Sequence, residues 1–335
     1  MPSYFRHIVH FLLVAMMLMS ITSCARWREA KAVAAEADRL LGEGVIMRDT
    51  AALADVIKAL DNPIGRVIAR EELTEAYYLM GRNLDDYCCD FATAADYYIE
   101  ADRLQTKELV LRGRINSCMG FICKQDSCFK EALEFYERAN IAFAKTDNQK
   151  RYANGLLSIA EQYVNLKEYN KADSILQIAN NYDIDSTYHA MLIETRGLYF
   201  FALQQYDSAL TYFLRIENFP RSLEARCYSY MKIMQIYIRQ NNYELADKYA
   251  CFIIEQTKTP NYKTNAYYTL LRIKEKSNDS RYLANLSYLR KDEDIKIRHG
   301  KIVINCVNKP ISIVAISFIV WRKPIILASR RLRFA

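Results

Sequence analysis

Residues 206–216 read YDSALTYFLRI, with Tyr206, Ala209, Phe213 and Ile216 at offsets of three, seven and ten residues. That spacing puts an aromatic, a small, a bulky and an aliphatic residue on one stripe of an α-helix, and a strand cannot use it. The same stripe is spelled four more times: Phe91–Ala94–Tyr98–Ala101, Phe129–Ala132–Tyr136–Ala139, Tyr169–Ala172–Leu176–Ala179 and Tyr243–Ala246–Ala250–Ile253. The alanines at 94, 132, 172, 209 and 246 recur with a period of 37 to 40 residues, inside the range of stacked helical repeats. The expected fold class is all-α, an α/α superhelical solenoid. Function is then sought on a surface, because stacking creates both the core and a concave face.

Each striped helix is preceded by a second helical pattern. Twelve residues before the central alanine stand Gly120, Ala160 and Gly197, and thirteen before Ala94 stands Gly81. Small residues there let two antiparallel helices approach closely. In the fifth unit the place is taken by Met234, where a looser or rearranged contact is expected.

On these positions the chain resembles the tetratricopeptide repeat family. The unit from Gly113 carries Gly120, Phe129, Ala132, Tyr136 and Ala139; the unit from Ala153 carries Ala160, Tyr163, Tyr169, Ala172 and Ala179; the unit from Ala190 carries Gly197, Phe200, Tyr206, Ala209 and Phe213. The unit from Cys227 keeps Tyr237, Tyr243 and Ala246. Pro220 and Pro260 fall near the family's helix-ending proline. The resemblance covers Leu73 to Gln256, and the period exceeds the family's usual length by a few residues. It implies helix pairs whose first helices line a groove. The positions it nominates are Arg114, Phe121 and Lys124, then Asn154, Glu161 and Asn165, then Glu194 and Phe201, and last Tyr228, Gln235 and Arg239. Such a mixture suits an extended peptide better than a polyanion. The Lys/Asn clamp by which some family members hold a peptide's terminal carboxylate is not found.

The chain ends differ in character. Arg6 and His7, then the apolar run Ile8 to Met19, read as an export signal over residues 1–23. Ile21-Thr22-Ser23-Cys24 resembles a bacterial lipobox, which would make Cys24 the acylated residue. An ordinary signal peptide or an N-terminal anchor is the alternative. Residues 24–72 read as divergent leading helices, 73–290 as the repeat solenoid, 291–301 as a charged linker, 302–321 as a candidate transmembrane helix, and 322–335 as a basic tail. The candidate span contains Asn305, Asn308, Lys309 and Pro310, so its alternatives are a segment lying on the membrane surface and a disordered or truncated tail.

The formal charge of +7 does not argue for nucleic acid. From Arg290 to Ala335 there are eleven Lys/Arg against three acidic residues, which leaves the rest of the chain near −1. A nucleic-acid-binding solenoid is expected to carry its cations along the repeats. Here they flank an apolar segment, as expected beside a membrane.

Nothing in the sequence points to catalysis, a metal or a cofactor. The four histidines, at 7, 10, 189 and 299, stand outside any ligand spacing, and no glycine-rich phosphate loop is present. Cys118, Cys123 and Cys128 are spaced by five, which is not a zinc pattern, and read as buried small hydrophobes. The expectation is a non-enzymatic scaffold anchored in the bacterial cell envelope. Its repeats face the periplasm and its groove holds a peptide or protein. The alternative is the periplasmic sensor portion of a transmembrane regulator, truncated or acting through a partner, since only 14 residues follow Trp321.

Overall fold

In the computed structural model the described residues are 27–29, 31–39, 41, 48–87, 90–219, 223–257, 262–263, 266–267 and 269, with strand residues 295–298, 301–306 and 309–312. The expected export signal, Cys24, Pro220, Pro260, residues 313–321 and the basic tail lie outside them. The helices are α1 (Thr50–Leu60), α2 (Gly65–Ile68), α3 (Arg70–Tyr87), α4 (Phe91–Arg103), α5 (Leu109–Gln125), α6 (Phe129–Phe143), α7 (Gln149–Asn165), α8 (Tyr169–Ala179), α9 (Ser186–Ala202), α10 (Tyr206–Arg215), α11 (Leu223–Arg239) and α12 (Tyr243–Gln256). The described residues form two compact units, which meet in sequence between Gln125 and Asp126.

The five striped segments begin α4, α6, α8, α10 and α12, and their inner positions are buried throughout. Ala94, Tyr98, Ala172, Leu176, Ala209, Phe213, Ala246 and Ile253 are all 0% exposed. Ile216, the last residue of the fourth stripe, is buried directly after α10, at the start of a short 3₁₀ segment. The leading aromatics are only half-buried, which leaves part of each ring facing outward.

The turn between paired helices is built the same way three times. Lys167, Gln204 and Asn241 adopt left-handed φ values of 63°, 61° and 58°. At Lys167 the N–H donates to Val164 O (3.0 Å) and the next N–H, of Glu168, donates to Tyr163 O (2.8 Å). Gln204 with Gln205, and Asn241 with Asn242, repeat this pair of bonds onto Phe201 and Phe200, and onto Ile238 and Tyr237. These are Schellman closures, which satisfy the carbonyls left over at a helix end. No glycine is used at any of the three, although left-handed backbone disfavours a side chain.

In the residues up to Gln125, α3 and α4 pack as a pair across Gly81. A Cβ there would stand 2.6 Å from Cε1 of Tyr98, so only glycine admits the ring. Tyr98 donates its hydroxyl proton to Asp85 Oδ2, and Arg82 Nη1 lies 3.8 Å from Asp85 Oδ1. The end of α1 is tied in by Asp61, which accepts from Arg66 Nε (2.5 Å) and Tyr77 Oη (2.7 Å). Asn62 Oδ1 accepts from the N–H of Ile64 and Gly65 in the break after Leu60.

From Asp126 onward, α7/α8, α9/α10 and α11/α12 are the pairs, and residue size is exchanged across them. Ala160 occurs with Leu176, Gly197 with Phe213, and Met234 with Ala250, all at equivalent places and all buried. Met234 is thus accommodated by shrinking the residue on the second helix. Phe200 stacks on Tyr212 at 5.3 Å, and 37 residues later Tyr237 stacks on Tyr249 at 5.9 Å. The tyrosine content therefore serves repeat packing. Ala266 and Tyr267 join the core of α11 and α12.

The C-terminal expectation is corrected in part. Residues 302–306 and 309–312 of the candidate span lie instead in an antiparallel sheet of β1 (Ile295–Arg298), β2 (Lys301–Cys306) and β3 (Lys309–Ser312), ordered β1-β2-β3. Arg298 pairs with Lys301, and Cys306 with Lys309. β1 also takes up residues 295–298 of the expected linker. Ile302, Val303 and Ile304 are β-branched, which favours strand, and Pro310 is tolerated because β3 is an edge. Among the described residues no helix is long and apolar enough to cross a membrane.

Candidate partner-binding cleft

The first helices α7, α9 and α11 each end beside an aromatic that starts the following helix. Tyr169 reaches the end of α9 and donates its hydroxyl proton to Ala202 O at 3.3 Å. Tyr206, 37 residues on, is covered in the same way by the Arg239 guanidinium, 5.8 Å from the ring centre. Between these ends lies a cleft of about 340 Å³ lined by Glu161, Val164, Asn165, Lys167, Tyr169, Leu198, Phe201, Ala202, Gln204, Tyr206, Tyr228, Lys232 and Arg239.

The cleft combines rings with cations. Lys232 Nζ lies 5.3 Å from the centres of both the Phe201 and the Tyr228 rings. Arg239 sits 5.8 Å from the Phe201 centre as well, so two cations share one ring. Such contacts contribute about 0.5–2 kcal/mol each, more where water is excluded. Burial pulls the Lys232 ammonium below its ordinary value, and Glu161 and Glu194 oppose that shift. Burial likewise raises the Tyr228 hydroxyl, with the same two carboxylates adding to the effect. Glu194 Oε1 accepts a hydrogen bond from Ser229 Oγ at 2.6 Å.

Of the nominated groove positions, the structure brings together Glu161, Asn165, Phe201, Tyr228 and Arg239. Glu194 stands behind them within electrostatic reach of Lys232. Gln235 is half-buried on α11 outside the lining, and Asn154 is half-buried on α7 with its Oδ1 enclosed and accepting no hydrogen bond among the described residues. Arg114, Phe121 and Lys124 lie on α5, in the other unit. There Arg114 Nε donates to Tyr78 Oη (3.2 Å) and its guanidinium covers the Tyr78 ring, while Phe121 meets Phe91 at 6.1 Å and Lys124 at 5.7 Å.

Sequence reasoning missed Lys232, Lys167, Tyr169 and Tyr206 as cleft residues. Lys232 was detectable, since it follows Tyr228 by four residues and precedes Gln235 by three, on one helix face. The two tyrosines were assigned to repeat packing, which they do with one edge only. Among the described residues no cluster of His, Cys, Asp or Glu is arranged to hold a metal ion. Among the described residues Cys118, Cys123, Cys128 and Cys227 are buried and in no disulfide.

No protein-family model matches the sequence. No curated protein matches it closely either. Solved structures similar to it include one from a functional characterization of Pseudomonas aeruginosa PilF, at 15% identity and a TM-score of 0.44, covering 67% of this chain and 93% of that one. The apo form of RapI is similar at 17% identity and a TM-score of 0.46, covering 78% and 75%. A STAND protein with a tetratricopeptide repeat sensor from Pyrococcus horikoshii is similar at 18% identity and a TM-score of 0.48, covering 87% of this chain and 45% of that one. At such values nothing about function transfers. The buried stripes, the paired helices and the recurring Schellman turns establish that the chain carries the helix-pair fold of the tetratricopeptide repeat.

Proposed function

We propose that this protein is a non-enzymatic scaffold of the bacterial cell envelope that holds a peptide or protein partner in the groove of α7, α9 and α11. The observation that carries the reading is the cleft itself. Five side chains nominated as groove positions from three separate repeats converge there, around aromatic faces that no core contact fully covers. A cleft with apolar walls and a few placed polar groups is the usual form of a binding site. The envelope location rests on the export signal and the lipobox-like Cys24.

A photo-crosslinking amino acid placed at Asn165 or Gln235 is expected to capture one defined partner in cells. The same residue at Ile178, on an outward face of α8, is expected to capture none. Equal capture from both faces overturns the groove reading. Palmitate labelling that disappears in Cys24→Ala supports the anchor, and labelling absent from the wild type removes it.

A further inference from the structure

Three cations line the cleft, Lys167, Lys232 and Arg239, and among the described residues none of them forms an ion pair. Glu161 in the lining and Glu194 behind it are the carboxylates that act on Lys232. The local balance is one positive charge in excess, which suits a monoanion and disfavours a phosphate dianion. Lys232 Nζ and the Arg239 guanidinium lie 5.3 and 5.8 Å from the centre of one ring, that of Phe201, so both border the space around it.

We propose that the cleft anchors its ligand by an acidic side chain, an Asp or Glu carboxylate held between Lys232 and Arg239 beside the Phe201 ring. This rests on the peptide-groove reading above and names what the groove selects. The rings of Tyr206 and Tyr228 displace water from the pair, and a charge pair strengthens as the local dielectric falls. The Arg239 side chain is exposed, which leaves its planar fork free to take a carboxylate by two parallel bonds. Lys232 is recessed among the rings. A side chain can carry a carboxylate to it while the ligand main chain stays at the rim. A chain terminus would have to bury amide groups against ring faces that offer them no hydrogen bond.

The test uses the full-length protein in detergent and fluorescence anisotropy with short, C-amidated fluorescent peptides. Each has a Gly/Ser frame and a central Phe-Glu, Phe-Gln or Phe-phosphoserine, and a fourth peptide carries Phe-Gln with a free C-terminal carboxylate. The Glu peptide is expected to bind about tenfold more tightly than the Gln peptide, the gain of one desolvated charge pair. Both Lys232→Met and Arg239→Gln are expected to shrink that preference to less than about threefold while helicity by circular dichroism is unchanged. Should Lys232→Met fail to fold, the exposed Arg239 variant decides alone. Equal binding of the Glu and Gln peptides overturns the acidic anchor, as does tightest binding of the phosphoserine or free-carboxylate peptide, or a preference intact in the folded variants. If Glu and Gln peptides bind equally and Tyr228→Ala weakens both, the groove reading stands and only the acidic anchor falls. If no peptide binds, both fall.

Discussion

Gly197 on α9 lies against the edge of the Phe213 ring on α10: a Cβ at residue 197 would stand 2.8 Å from Cε1 of Phe213, and the ring is 0% exposed. The ring has no room to retreat, and the contact sets how closely the two helices pack. In the preceding pair the equivalent residues are Ala160 and Leu176, and in the following pair Met234 and Ala250.

Gly197→Ala is therefore expected to destabilise the protein by about 1–2 kcal/mol, because overpacking outweighs the helix propensity that alanine gains. Phe213→Leu alone leaves a cavity and is also destabilising. The double variant reproduces the natural Ala160/Leu176 pair, and its cost is expected to fall short of the sum by at least about 0.5 kcal/mol. Urea unfolding of the four proteins closes the cycle. Strict additivity would show that the two residues do not share one space.

Gln204 closes a Schellman turn with φ of 61° and without the help of glycine. Gln204→Gly is expected to stabilise by a few tenths to about 1 kcal/mol, since relief of left-handed strain exceeds the entropy gained by the unfolded chain. Asn241→Gly should gain less, because asparagine tolerates this region. A lower denaturation midpoint for Gln204→Gly would mean that its side chain supports the turn in another way.

Asp85 is buried beside Tyr98 and Asp86, and burial is the main cause of a carboxyl pKa held above its ordinary value of 3.8; the Tyr98 hydroxyl and Arg82 pull the other way. Its Oδ1 accepts no hydrogen bond. The native state then binds more protons than the unfolded chain above the ordinary aspartate range, so this group's contribution to stability is lost as pH rises through the native pKa. Asp85→Asn is expected to flatten the fall of stability between about pH 4 and pH 8, whose slope from one group cannot exceed about 1.4 kcal/mol per pH unit. Unfolding midpoints across that range measure it, and an unchanged slope in the variant would assign the effect elsewhere.

Asp185 caps α9 by accepting from the N–H of Tyr188 at 2.8 Å, and it also meets Lys150 Nζ at 2.6 Å. Loss of the cap should dominate loss of the exposed ion pair. Asp185→Ala is expected to cost about 1 kcal/mol. Asp185→Asn, which keeps a capping oxygen, and Lys150→Met should each cost less than about 0.5 kcal/mol. Equal losses for Asp185→Asn and Asp185→Ala would assign the stabilisation to charge.

The repeat was legible because its signal is local. Residues such as Ala209 and Phe213 share a helix face through sequence spacing alone, and burial of that face is what any stacking requires. Helix type, pairing order and the close approaches at Gly81 and Gly197 follow from that periodicity, whereas the groove positions came only from the family resemblance. The strands over residues 295–312 were not legible, since a short apolar run with β-branched residues has no period that separates strand from helix.

What the tertiary structure alone decided is which outward side chains meet. Glu161, Phe201, Tyr228 and Arg239 come from three repeats, and their convergence depends on the rotation between successive helix pairs. Residue sizes such as those at 160 and 176, 197 and 213, and 234 and 250 set how closely the two helices of each pair approach. Lys232 shows the same division. Its helix face is written in the chain, but its place among the rings of Phe201 and Tyr228, and so its lowered proton affinity, arises only when a neighbouring repeat takes away its water.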